Sequence, residues 1–499
     1  MRRATAGNSS DTTCYALAAI LANAVFFPGD TTYNSSEASY AYVQQQIQRP
    51  SCIVKPSSTA EVSSVVKILQ SSSSAFAIKS GGHATNSGFS NIDGGVTLDL
   101  TSLNSVSIVE DGDLVTASVG GIGFFALQHG FGCDAVKNIE VVLASGEVIN
   151  ANWSSHQDLF VALKGGQSNF GIVTRWDIET IPQGKLWGGN IIYNYSTILE
   201  QLEAFTTWKS PDNFNQLSSV EQSHVYSSSV DEWIVSTAIF YAQPTSDPEN
   251  LKNFTSIGSQ LSNTIRISNV TDFANEVQAQ STPNLYTIFA STTFKISPTI
   301  LAKVESLWQT SVKEISQIAS ITSSMTLQSI PAPPSNPTRK NSLGFEPSST
   351  PQEDLVLLLI TNFWDDPEVG VQVEDGTQAF IENVMRATKD EGLARDFVYE
   401  NYAASGFQKP LETTGNLEAF QKVASKYDPA NKILTYSFPQ YHDDRYPASK
   451  PHGIKESNVN YESVDKCVVN GKEMYAWIVI SDRHIPNVIS QLFRNLLNR

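Results

Sequence analysis

The chain has 499 residues, 40% of them hydrophobic and 10% aromatic, which is enough for a large core and for two or three domains. Its 33 Lys and Arg stand against 50 Asp and Glu, a net charge of −17 with no basic run to relieve it, so nucleic acid is excluded as a natural partner. Four cysteines, Cys14, Cys52, Cys133 and Cys467, show no CxxC spacing and exclude a structural zinc site by pattern; Cys14 and Cys52 read equally as a bridge or as two buried thiols.

Taken in chain order, YALAAILANAVFF, Tyr15 to Phe27, is too short to span a bilayer and is broken by Asn23, so no membrane anchor is expected from it. Arg2 and Arg3 precede it, but without a clear cleavage site it reads as a helix of the folded protein rather than a leader. Ser57 to Gln70 opens with a capping box, Ser58 and Glu61, and places Val62, Val65, Val66 and Leu69 at helical spacing. Ala75 to Ser80 and Gly95 to Leu100 read as short strands joined by a glycine-rich stretch. Asn138 to Ala151 reads as a hairpin turning at Ser145 and Gly146, followed by a helix ending at Gly165 and Gly166 and a strand from Phe170 to Ile181.

After Lys185 the composition shifts to long strands, among them Trp233 to Ala242 and Leu355 to Trp364, with a helix over Thr299 to Ile318. Ser329 to Pro351 is too rich in Pro and Ser for regular structure. The last stretch is polar and broken by prolines, then ends in an apolar strand, YAWIVIS, and an amphipathic helix. Six N-x-S/T sequons occur, at Asn8, Asn34, Asn152, Asn194, Asn253 and Asn269. With 33 Asn and 97 Ser or Thr, chance alone gives about six, so they do not mark a glycoprotein.

The stretch IKSGGHATNSG, Ile78 to Gly88, supplies backbone amides with little side-chain bulk, which a loop needs to approach a phosphate or a flat ring. On these residues alone an ordinary glycine turn with an incidental His83 is the simpler explanation. A nicotinamide fingerprint at GGIG, Gly120 to Gly123, lacks its third glycine. His442, Asp443 and Asp444 lie in a polar tail where solvated charge is the usual explanation, and His129, His156 and His224 show no partner pattern and read as structural.

The larger stretch from Ser80 to Ile108 is similar to the flavin-attachment loop of berberine-bridge-enzyme-like FAD-linked oxidases, in the vanillyl-alcohol-oxidase superfamily. Four further stretches agree in order: PSCIVKPSSTAEVSSVVKIL, FGCDAVKNIEVVLASGEVINA, DLFVALKGGQSNFGIVTRWDIETIPQGKLWGG, and FVYENYA followed by KYDPAN. The resemblance implies an α+β fold, with a two-part PCMH-type FAD-binding domain split in sequence, residues 1–185 and 391–431, around a substrate domain over 186–390 built as an antiparallel sheet backed by helices.

It implies FAD joined through a ring nitrogen of His83 to the flavin 8α-methyl, with Ser80, Gly81, Gly82, Ala84, Thr85 and Gly88 cradling pyrophosphate and ring. Gly165, Gly166, Asn169, Gly171, Ile172 and Val173 match the segment that closes over the adenosine end. Tyr399, Asn401 and Tyr402 match the strand beside the isoalloxazine, where either tyrosine could serve as base for hydride transfer to flavin N5. At least one of the two is then a strand aromatic whose hydroxyl merely finds a partner. A small-molecule substrate, a secondary metabolite or a sugar-like alcohol, with dioxygen as acceptor, a monomeric state and a secretory-pathway location complete what the resemblance implies.

The sequence also departs from the family. VTASVG meets GIGFFALQHG directly, where the family carries a further strand, a crossover helix, a flavin-contacting loop and the cysteine of the second flavin link. That second link is therefore absent, and Cys133, downstream of it, reads as a core thiol. Residues 432–499 match nothing in the family. Both departures are what a misread intron leaves, so an inactive family member that binds a partner without redox chemistry is the alternative reading.

Overall fold

The computed structural model describes residues 9–72, 74–107, 121–167, 169–279, 284–331, 336–345 and 354–430, together with the backbones of the short strands 115–116, 467–469 and 472–474. The chain divides into two compact units, one of residues 1–107, 137–177 and 416–451, the other of 108–136, 178–415 and 452–499. His442 to Asp444, the YAWIVIS strand, the last helix, Asn8 and residues 117–120 of the VTASVG junction lie outside the described residues.

The first unit begins with α1 (Ser9–Ile20), β1 (Val25–Phe26), α2 (Thr31–Ala38), α3 (Val43–Gln46) and β2 (Cys52–Val54). Cys14 and Cys52 are disulfide-bonded, which closes the choice the sequence left open. α4 (Thr59–Ser71) starts where the capping box put it: Ser58 Oγ accepts from the Glu61 amide at 3.3 Å. The Glu61 carboxylate reaches one residue further back than the motif requires and accepts from the Ser57 amide at 2.6 Å. Val62, Val65, Val66 and Leu69 are buried along one face, each contributing roughly 1.5–3 kcal/mol by the area it removes from water.

β3 (Phe76–Lys79) and β4 (Val96–Asp99) complete a sheet in the order β1-β2-β4-β3, with β2, β4 and β3 parallel. Neighbouring parallel strands normally need a helical crossover. Here β3 and β4 are joined by residues 80–95 without a helix, so the glycine loop leaves the carboxyl end of β3, where ligand loops of parallel sheets belong. β5 (Val136–Val142), β6 (Val148–Asn152) and β7 (Ile172–Ile178) form a second small sheet, ordered β6-β5-β7, with α5 (Gln157–Leu163) between β6 and β7. The β5–β6 hairpin turns at Gly146, φ +80°, as read from Ser145 and Gly146. One core joins these sheets: Val142 and Ile172 pack with Leu17, Val54, Val65, Leu69, Val96 and Leu98.

The second unit is an antiparallel sheet of β8 (Leu186–Asn194), β9 (Ser218–Ser227), β10 (Glu232–Tyr241), β11 (Tyr286–Lys295), β12 (Ile321–Ser329), β13 (Leu355–Trp364) and β14 (Ala394–Arg395), with Gln260–Asn263 and Arg266–Ser268 pairing β8 at its outer edge. The order is β8-β10-β9-β12-β13-β11-β14. Helices α6 (Ile198–Trp208), α7 (Pro298–Ile315) and α8 (Gly370–Asp390) back one face: Trp308 Nε1 donates to Ser323 Oγ at 3.1 Å, and Asn362 Nδ2 donates to Thr377 Oγ1 at 2.8 Å. The register puts Ser223, Ser324, Thr326, Gln328, Thr361 and Ser291 on the opposite face, all buried. This is the α+β architecture expected from the sequence.

Residues 391–415, read from sequence as part of the flavin domain, pack within this second unit because β14 pairs with β11 and Gln408 spans to Ser291. Residues 108–136, also placed with the flavin domain, cluster with the second unit as well, where Phe124 meets Phe240 at 4.2 Å between ring centroids.

Candidate functional site

In the first unit the loop after β3 is held from one side by the segment 41–48, residue against residue. The Ala41 amide donates to the Gly82 carbonyl at 3.0 Å, and Tyr42 Oη meets His83 Nε2 at 3.3 Å. Gln45 Nε2 donates to the carbonyls of Ala84 and Asn86, Gln44 Nε2 to that of Thr85, and Gln48 Nε2 to Ser87 Oγ at 3.1 Å. The loop's carbonyls are thereby drawn to the protein. Among the described residues, no backbone amide of Gly81, Gly82, Ala84 or Thr85 donates to another group. A loop with its carbonyls tied back and its amides left over is built to receive an anion or a polar ring edge, and it fits the pyrophosphate and isoalloxazine of FAD.

Gly82 has φ +66°, and a Cβ there would stand 3.3 Å from Tyr40 Cδ1 and 3.4 Å from Lys79 Cε. Gly88 is also left-handed, φ +80°. Ser80 and Gly81 are exposed, whereas His83, Ala84, Thr85 and Gly88 are half-buried. Beneath the loop, Lys79 Nζ donates to the Ser36 carbonyl at 2.8 Å and to Ser39 Oγ at 2.6 Å, and faces Asp99 Oδ2 at 3.4 Å. Burial pushes the Lys79 ammonium down while Asp99 pulls it the other way. Burial opposes charge on Asp99 too, but Lys79 and hydrogen bonds from Ser36 and Thr101 hold its carboxyl at about 2. Nearby, burial raises the Glu37 carboxyl to about 7 although Asn91 Nδ2 donates to both its oxygens.

The glycine segment matched to the adenosine end is explained largely by packing. A Cβ on Gly166 would lie 2.5 Å from the Ala162 carbonyl oxygen and 2.7 Å from Phe170 Cε2, and one on Gly171 would lie 2.5 Å from Val141 Cγ2. Asn169 Nδ2 donates to the Gly166 carbonyl at 2.6 Å, Ile172 belongs to the core, Val173 is half-buried and Gly165 has φ +129°.

In the second unit Tyr399 and Tyr402 come together on one short turn, Glu400–Tyr402, their rings edge to face at 4.9 Å. Both are buried. Tyr399 Oη accepts from Asn401 Nδ2 at 2.9 Å, and Tyr402 Oη accepts from Gln328 Nε2 at 3.1 Å. Gln408 fixes the turn to β11: its Oε1 accepts from the amides of Ala404 and Ser291, both at 3.1 Å, and its Nε2 donates to the Ser291 carbonyl at 2.7 Å. Asn401 itself is exposed.

Sequence reasoning missed Glu400, which stands between the tyrosines and whose carboxyl is pushed by burial up to about 8. It also missed the glutamine run Gln44 to Gln46, all buried, because no chemistry is written in a polar repeat until the carbonyls it serves are known. Cys133 is half-buried rather than in the core. His224 sits on the helix-facing side of β9 against Glu305 and Gln222, His156 caps α5, and His129 closes the short helix Ala126–His129.

The FAD binding domain family matches residues 50–121, which begin just before β2 and take in β3, the glycine loop and β4. The FAD-dependent monooxygenase sdcF of Emericella nidulans is 31% identical, over 84% of this chain and 96% of that protein. That alignment runs over 468 positions, whereas 84% of 499 residues is about 419, so roughly 50 positions of the relative face no residue here. The fold is that of xylooligosaccharide oxidase from Myceliophthora thermophila, 17% identical with a TM-score of 0.67 over 86% of this chain and 98% of that one. It is likewise that of Physcomitrella patens BBE-like 1, 16% identical with a TM-score of 0.65 over 88% and 100%. The FAD binding domain match and a relative aligned along nearly its whole length agree on one conclusion: the chain belongs to the FAD-linked oxidoreductases, in the family of the FAD-dependent monooxygenase sdcF.

Proposed function

We propose that this oxidoreductase oxidises an alcohol or similar C–H centre of a small secondary metabolite, with FAD held covalently through His83 and dioxygen as the acceptor. The observation that carries the reading is the loop 80–88, whose carbonyls are taken by Ala41, Gln44 and Gln45 while, among the described residues, the amides of Gly81, Gly82, Ala84 and Thr85 donate to no other group. FAD, when bound, supplies the hydride acceptor at N5 and passes the electrons to dioxygen as hydrogen peroxide. The protein's part is to hold the ring through His83, seat the phosphates on the amides of Gly81, Gly82, Ala84 and Thr85, and take the substrate's hydroxyl proton. Tyr399 or Tyr402 takes that proton. Each phenol oxygen already accepts an amide N–H, from Asn401 or Gln328, which places a donor where negative charge would develop.

A sugar-like alcohol is the runner-up substrate, favoured by the serine, threonine and glutamine side chains on the face of the sheet that carries Tyr402. The Cys14–Cys52 bridge supports a secretory-pathway location. An inactive family member is favoured by the roughly 50 positions of the sdcF monooxygenase that face no residue in this chain.

Acid denaturation of the purified chain from a flavin-replete host separates these readings. Yellow colour that stays with the precipitated protein, and leaves it in His83→Ala, supports the covalent enzyme. Colourless protein supports the inactive member. With flavin present, oxygen consumption across a panel of alcohols should fall at least a hundredfold in Tyr399→Phe or Tyr402→Phe.

A further inference from the structure

We propose that Tyr42 is the positioning residue for His83: its hydroxyl accepts the Nε2 hydrogen, which fixes the imidazole in one tautomer and offers Nδ1 as the nitrogen that bonds to the flavin. This rests on the covalent reading above and deepens it.

The geometry is specific. Tyr42 Oη lies 3.3 Å from His83 Nε2, and the two rings meet edge to face, centroids 5.1 Å apart at 74°. Tyr42 is buried at 5% exposure, so its hydroxyl is held rather than sampled. It precedes α3 in an extended conformation, φ −125° and ψ 147°, and its carbonyl accepts from the amides of Gln45 and Gln46. The residues on either side of the pair are also matched: Ala41 holds Gly82, Gln45 holds Ala84 and Asn86, and Gln44 holds Thr85. Every one of those contacts fixes a backbone carbonyl. Gln48 at the end of the segment reaches the Ser87 hydroxyl, and Tyr42 reaches the one side chain of the loop that carries the chemistry.

A neutral imidazole has one N–H and one lone pair, and a hydroxyl can accept from the one or donate to the other; Tyr42 is assigned the acceptor's role. An oxygen acceptor at Nε2 keeps the hydrogen there and leaves the lone pair on Nδ1. In the attachment, His83 forms a bond from Nδ1 to the 8-methyl carbon of the flavin. The methyl gives up one hydrogen and the imidazole gives up its N–H hydrogen through Nε2 towards Tyr42. The ring system takes up two electrons and these two protons, and dioxygen then removes both pairs as hydrogen peroxide. The Tyr42 hydroxyl thus stands where the imidazole must lose its proton.

Tyr42→Phe keeps the ring contact and removes only the oxygen. Apo-protein is mixed with FAD, and acid-stable flavin is followed with time alongside non-covalent FAD binding. The expected result is attachment slowed at least tenfold in Tyr42→Phe with FAD affinity within twofold of wild type. Attachment at the wild-type rate overturns the proposal while leaving the covalent reading intact; acid-stable flavin absent from wild type overturns that reading. An independent readout needs no flavin: 15N spectra of histidine-labelled apo-protein, with the His83 signals identified by their loss in His83→Ala, should show the Nε2–H tautomer in wild type and a tautomer mixture in Tyr42→Phe. An unchanged tautomer in Tyr42→Phe also overturns the proposal. Circular dichroism on each variant keeps a folding failure from being read as either result.

Discussion

Lys79 and Asp99 are register partners on the parallel strands β3 and β4, their charged atoms 3.4 Å apart, and both side chains are closed to solvent. The pair is not symmetric. Asp99 also meets Lys55 at 3.2 Å, from a half-buried position, whereas Lys79 has Asp99 as its only carboxylate within ion-pairing distance among the described residues. Removing one partner of a buried pair leaves an uncompensated charge at a cost of about 3–5 kcal/mol. Asp99→Asn should therefore destabilise the protein by about that much in urea unfolding, and Lys79→Met by clearly less, because Lys55 still faces Asp99. Equal losses in the two variants would contradict the assignment of Lys55 as the spare partner.

Glu37 gives stability a pH dependence of opposite sign to that of Asp99. Its folded carboxyl sits at about 7, above the ordinary 4.5, so the folded state binds the proton more tightly and stability declines as pH rises from about 4.5 through about 7. Asp99, held at about 2 below the ordinary 3.8, contributes stability above 3.8 that is lost as pH falls through about 2. Arg49, Lys79 and Asp99 are the other charges acting on Glu37. Glu37→Gln keeps an acceptor for Asn91 Nδ2 and removes the titration. The variant should lose less stability than wild type between pH 5 and pH 8, by an amount on the order of 3 kcal/mol. Parallel stability curves for the two proteins would show that Glu37 does not titrate in this range.

The parts of this fold legible in the sequence are those written locally. α4 was readable from Ser58, Glu61 and four spaced apolar residues, the β5–β6 hairpin from Ser145 and Gly146, and β13 from a largely apolar stretch that the structure buries along its whole length. Contacts made at long range were not. Gln44 and Gln45 reach residues about 40 positions away, Gln408 reaches Ser291 across more than 100, and nothing in a window around either glutamine announces the partner. Glu400 was passed over for a related reason: its displaced proton affinity comes from what surrounds it, which no short motif encodes. The pairing of β14 with β11, which groups residues 391–415 with the second unit, is likewise written in no change of composition.

The glycines of the two candidate segments should fail in different ways. Gly171 has no room for a methyl group, with Val141 Cγ2 at 2.5 Å and the Val142 carbonyl oxygen at 2.9 Å from an added Cβ, so Gly171→Ala overpacks the core. A loss of about 1–3 kcal/mol in unfolding free energy is expected. Gly82 has a tight but not forbidden neighbour to an added Cβ, Tyr40 Cδ1 at 3.3 Å, and a left-handed backbone, φ +66°, so Gly82→Ala should cost roughly 1–2 kcal/mol through strain and shift the loop that presents His83. Flavin loading should therefore drop in Gly82→Ala by more than its lost stability accounts for, and in Gly171→Ala only in step with unfolding. The same loading per folded molecule in both variants would remove the distinction between a packing glycine and a loop glycine.

Glu400 supplies the last test, because its titration falls in an accessible range and beside both candidate bases. Burial alone raises its carboxyl to about 8, from an ordinary 4.5, so near neutrality it is an uncharged acid. The raised value means that the proton is favoured in the folded state, and stability is lost as pH rises from about 4.5 through about 8. Glu400→Gln mimics the protonated form and cannot lose it. Between pH 7 and pH 9 the variant should thus lose less stability in urea than wild type does. Matching stability curves for the two proteins from pH 7 to pH 9 would place the Glu400 carboxyl in water.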